Sequence, residues 1–98
     1  MEILKENNGN ALVISVIGRL DTTTAPQLED EIKDSIEGIT DLTLDFAKLE
    51  YVSSAGLRVL LMAQKIMNKQ GSMVITNVND DINEVFEITG FSDILTIQ

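Results

Sequence analysis

The chain has 98 residues, 44% of them hydrophobic, enough for one domain with a single core and too apolar for a disordered segment. It has no cysteine and no histidine, which excludes disulfides, thiolate chemistry, imidazole-based nucleophilic catalysis and the usual zinc sites. Sixteen acids against seven bases give a net charge of −9, a surface that repels nucleic-acid phosphates and anionic lipid headgroups and suits either solubility or encounter with a basic partner.

The longest apolar run, Val59 to Ala63, falls far short of the roughly 20 residues that span a bilayer. The first residues carry no basic start leading into an apolar stretch, so no secretory signal is expected. The composition therefore predicts a cytoplasmic protein with no membrane insertion and no direct nucleic-acid contact.

Met1 to Asn7 and Ala11 to Ile17 read as two strands joined by a tight turn at Asn8-Gly9, residues that tolerate positive φ. Leu12, Ile14 and Val16 share one face of the second strand, and Val13 and Ile17 share the other, the pattern of a central strand covered on both sides. Gly18-Arg19-Leu20-Asp21 breaks this alternation. Thr24-Ala25-Pro26-Gln27 resembles a capping box with proline in the first turn. Leu28, Ile32, Ile36 and Ile39 then form a helical stripe that Gly38 closes.

Leu42, Leu44 and Phe46 alternate as a third strand. A turn over Ala47 to Tyr51 leads to Val52-Ser53-Ser54-Ala55-Gly56-Leu57, and helical composition runs from Ser54 to about Gln70, where Gly71 stops it. Met73 to Val78 reads as a fourth strand. Asn79 caps a last helix carrying Ile82, Val85, Phe86 and Thr89, with Gly90 after its end. Ile94 to Ile97 reads as a short edge strand. Strands alternating with helices predict an α/β domain: a mostly parallel sheet of about four to five strands with an antiparallel N-terminal hairpin, packed with about three to four helices on one face or both.

The most unusual segment is Ser53-Ser54-Ala55-Gly56, directly between a turn and a helix. Its serines sit where the backbone N–H groups of a new helix are unpaired. A serine here caps the helix, carries a phosphate at the positive end of the helix dipole, or does both. Gly56 either lets another molecule approach the backbone or permits close helix–sheet packing. A serine-nucleophile enzyme would have only Lys48 or Lys65 as a base, and no Gly-x-x-x-x-Gly-Lys-Ser/Thr phosphate loop is present. Gly18 to Thr24 leaves the C-terminal end of one strand as the serine segment leaves that of another, so both can lie on one side of a parallel sheet.

Gly18-Arg19-Leu20-Asp21, Leu44-Asp45-Phe46, Tyr51-Val52-Ser53-Ser54-Ala55-Gly56-Leu57-Arg58-Val59-Leu60-Leu61 and Phe86-Glu87-Ile88-Thr89-Gly90-Phe91 together resemble the motifs of the STAS domain family, in particular its bacterial anti-sigma-factor antagonists. The resemblance implies a single STAS domain over residues 1–98 that is not an enzyme and holds no cofactor. It implies binding to an anti-sigma factor that is also a serine kinase, release of a sigma factor, inactivation by phosphorylation of one serine, and restoration by a PP2C-type phosphatase.

Carried over residue by residue, the phosphorylated serine is Ser54, with Ser53 as a second acceptor. The partner surface comprises Asp21, Thr22, Thr23, Ser53, Ser54, Ala55, Gly56, Leu57 and Arg58. The chain departs from the family's common Asp-Ser-Ser/Thr-Gly pattern, having Ser53 in place of the aspartate and Ala55 at the second hydroxyl. Two other roles are open to such a chain: an accessory or scaffold module of a transporter or signalling complex without phosphorylation, and small-ligand or nucleotide binding at the strand ends.

Overall fold

A computed structural model describes residues 1–98. Strands β1 (Glu2–Asn8) and β2 (Ala11–Leu20) precede helix α1 (Ala25–Ser35), followed by β3 (Asp41–Asp45), β4 (Leu49–Val52), α2 (Ser54–Gln70), β5 (Ser72–Thr76) and α3 (Asp80–Thr89). The sheet order is β1-β2-β3-β5, with β4 paired to β2. Only the β1–β2 pair is antiparallel. The α/β architecture predicted from the alternation of strands and helices is the one observed.

The hairpin pairs Asn8 with Ala11, so its two loop residues are Gly9 and Asn10, one position later than expected. Gly9 takes φ +66° and Asn10 does not take a positive φ. That is the II′ arrangement, in which the first loop residue carries the positive φ and glycine suits it.

Parallel register places Leu12 beside Leu42 and Ile14 beside Leu44, then Leu42 beside Met73 and Leu44 beside Ile75. All six are buried, together with Leu28 and Ile32 of α1, Leu60 and Met67 of α2, and Ile82 and Phe86 of α3. The opposite face differs from the expectation of cover on both sides. Val13, Ser15 and Ile17 are only half-buried, and Leu4, paired with Ser15, is exposed. The helices pack on one face; Lys5, on that face beside Ile14, reaches Glu31 and Ser35 of α1.

Two stretches not expected to be strands, the break at Gly18–Leu20 and most of the turn over Ala47 to Tyr51, belong to strands. β2 continues through Gly18, Arg19 and Leu20, and β4 pairs with that extension at Gly18–Leu49, Arg19–Tyr51 and Leu20–Val52. The register shifts between Gly18 and Arg19, leaving Glu50 as the extra residue of a bulge. At the chain end, the expected strand is a single bridge between Ile75 and Ile97 after a 3₁₀ turn at Phe91–Asp93.

Candidate partner-binding site

The site is built where β2 and β4 end. The Ser53 N–H donates to the Leu20 carbonyl at 2.9 Å, which ties the start of α2 to the last residue of β2. Ser53 keeps an extended backbone, and its Oγ accepts from the Gly56 N–H at 3.3 Å. Ser53 is thus the N-cap of α2, and Ser54 is the first helical residue. Ser54 is exposed, and its hydroxyl makes no hydrogen bond within the chain.

Gly56 is buried. A Cβ there would stand 2.7 Å from Leu20 Cγ and 2.9 Å from Val52 Cγ2. The reading in which Gly56 opens the backbone to another molecule is overturned, because the missing side chain is filled by the chain's own sheet. Leu57 is also buried, at 6% exposure. Of the residues expected on the partner surface, Gly56 and Leu57 shape the helix start from beneath, and Ser54 and Arg58 face outwards.

The loop before α1 is organised by Asp21. Its Oδ1 accepts from the Thr23 hydroxyl at 2.8 Å, the Thr23 N–H at 3.0 Å and the Thr24 N–H at 3.2 Å. The Thr23 hydroxyl leads the effects that hold the Asp21 carboxyl below its ordinary value of 3.8, against a smaller desolvation effect that raises it. Thr24 precedes α1 but does not cap it with its side chain, contrary to the capping box read from the sequence. Its Oγ1 donates back to the Arg19 carbonyl at 2.7 Å, and the Ala25 N–H finds the Asp21 carbonyl at 2.8 Å.

Arg19 and Tyr51 lie in motifs singled out from the sequence, but their pairing at the site was not foreseen. The Arg19 guanidinium lies 4.4 Å from the Tyr51 ring centroid, and its Nε is 3.8 Å from Asp21 Oδ2. Their pairing depends on β4, whose short exposed–buried pattern gave no strand signal. The two motifs meet as expected: Thr22, Pro26 and Glu29 of the α1 side and Ala55 and Arg58 of the α2 side line one shallow groove. No group of three or more acidic side chains is placed to share a metal ion.

A family model described as the STAS domain matches residues 2–98. The chain belongs to the STAS domain family. The anti-sigma-B factor antagonist of Listeria monocytogenes is 35% identical over 98 residues, covering 97% of this chain and 85% of that protein. An anti-sigma factor antagonist from Mycobacterium paratuberculosis has the same fold, with a TM-score of 0.88 at 24% identity, over 98% of this chain and 83% of that one. The Bacillus cell fate determinant SpoIIAA, solved in its phosphorylated form, superposes with a TM-score of 0.77 at 20% identity, over 99% of this chain and 91% of that one. In this STAS domain, the Gly18–Asp21 and Ser53–Arg58 motifs are tied together by the bond from the Ser53 N–H to the Leu20 carbonyl. No helix of the STAS domain is long and apolar enough to cross a membrane.

Proposed function

We propose that this STAS domain is an anti-sigma-factor antagonist whose binding surface is switched by phosphorylation of Ser54. The curated relatives named as anti-sigma-B factor antagonists support the class of function. The observation that carries the switch is the division of labour between the two serines: the Ser53 hydroxyl is engaged as the N-cap, and the Ser54 hydroxyl is exposed and unbonded. In the unphosphorylated state the surface of Asp21, Thr22, Thr23, Ser54, Ala55 and Arg58 docks on an anti-sigma factor with serine-kinase activity, and the sigma factor is released.

The kinase transfers the γ-phosphoryl group of ATP to Ser54 Oγ. ADP leaves, and the hydroxyl proton is lost. The new group brings a charge of about −1.5 to −2 at neutral pH. It sits at the positive end of α2, so the helix start tolerates it well. Its cost falls on the complex, where a partner surface fitted to a neutral hydroxyl meets a hydrated dianion. A PP2C-type phosphatase restores the hydroxyl. The domain acts by binding rather than catalysis, in the cytoplasm where sigma factors work.

The test is incubation with the anti-sigma kinase of the same genome and ATP, read by intact mass and site mapping. Wild type and Ser53→Ala take up one phosphate, and Ser54→Ala takes up none. Phosphate on Ser53 alone, or none on the wild type, contradicts the proposal.

A further inference from the structure

Arg58 lies four residues after Ser54 on α2, so the two side chains share one face a single turn apart. Arg58 is exposed, and its guanidinium forms no ion pair. Its side chain lines the groove with Thr22, Pro26 and Glu29. The other arginine of the site is already engaged: Arg19 is stacked on Tyr51 and lies near Asp21. An uncommitted guanidinium and an uncommitted hydroxyl therefore stand together at the start of α2.

Resting on the reading that Ser54 receives the phosphate, we propose that Arg58 is the intramolecular receptor of that phosphate. An anion N-terminal to a cation at this spacing is the favourable order on a helix. The planar guanidinium can hold two phosphate oxygens at once, which an ammonium cannot match. Capture changes the surface twice. The phosphate adds an anion, and the Arg58 guanidinium leaves the groove, so a cation offered to the partner in the unphosphorylated state is withdrawn. The switch thereby acts through two charges rather than at one hydroxyl.

The experiment places phosphoserine at position 54 during translation, without any kinase, in the wild type, Arg58→Gln and Arg58→Lys. The ³¹P resonance is titrated between pH 4 and pH 8. Every other charged group, including Arg19, Asp21 and Glu50 and, on α1, Glu29, Asp30, Glu31, Lys33 and Asp34, is common to all three proteins, so differences report on position 58. The phosphate's second pKa is expected to lie lower in the wild type than in Arg58→Gln by about half a unit. Arg58→Lys recovers part of that shift, and high salt shrinks the gap. Equal values in the wild type and Arg58→Gln overturn the proposal, with matching amide spectra certifying that both are folded. Because no kinase is used, a chain that the kinase fails to label at Ser54 would refute the switch without deciding this titration.

Discussion

Gly56 packs so closely on Leu20 that a Cβ at position 56 would lie 2.7 Å from Leu20 Cγ. The contact sets how near α2 comes to β2, and hence how the helix start that carries Ser54 is presented. Alanine in place of glycine in an exposed helix gains about 1 kcal/mol of helix propensity. Here the added methyl meets branched side-chain carbons near the backbone, and overpacking of that kind costs about 1–3 kcal/mol. Gly56→Ala is therefore expected to lower stability, seen as a reduced urea midpoint with unchanged m-value. An unchanged or raised midpoint would show that the sheet yields and that the close contact is not a constraint.

The two capped helices should respond unequally to loss of their caps. Asn79 accepts from the Ile82 N–H at 2.8 Å and donates to the Leu49 carbonyl at 3.0 Å, so it caps α3 and holds it to β4. Ser53 makes one cap bond, at 3.3 Å. Asn79→Ala is expected to cost about 1–2 kcal/mol and Ser53→Ala about 0.5–1 kcal/mol in chemical denaturation. A Ser53→Ala loss equal to or above that of Asn79→Ala would contradict the ranking.

Asp21 titrates below its ordinary 3.8 in the folded chain, chiefly through the Thr23 hydroxyl. A depressed carboxyl pKa means that the unfolded chain binds the proton first. Its stabilisation is complete well above 3.8 and is lost as pH falls through the lower folded value. The stability difference between the wild type and Asp21→Asn should thus be level near neutral pH and narrow in acid. Thr23→Val should move the Asp21 carboxyl back up, measured by carbon-detected NMR titration. An Asp21 pKa indifferent to Thr23→Val would remove the hydroxyl as the cause.

Much of this fold is legible from period and punctuation. Leu42, Leu44 and Phe46 alternate, Leu28 and Ile32 recur at helical spacing, and Asn79 and Gly90 mark the ends of α3, all of which the structure bears out. β4 is hidden because Leu49 and Val52 are buried and Glu50 and Tyr51 between them are not, a pattern with no period of two. Its pairing with β2 survives a bulge that sequence alternation cannot show. Apolar residues on both faces of β2 read as cover on two sides, yet the helices pack on the other face and Val13 and Ile17 stay half-exposed.

The site was legible in its motifs and not in its geometry. Asp21 and Ser54 stand out as residues, but which of two adjacent serines caps α2 is decided by a single backbone turn. Thr24 has the look of a cap, and its hydroxyl is drawn instead to the Arg19 carbonyl. The stack of Arg19 on Tyr51 joins residues 32 positions apart and follows from strand pairing alone.

On the function proposed above, one hydroxyl, Ser54, governs partner binding. Its most direct measurement is calorimetric titration of the anti-sigma kinase with the unphosphorylated chain and with the chain bearing phosphoserine at position 54. Tight binding is expected of the first and a loss of at least tenfold for the second, a difference of about 1.4 kcal/mol or more. Ser54→Ala should bind like the unmodified chain. Equal affinity of the phosphorylated and unphosphorylated chains would contradict the account.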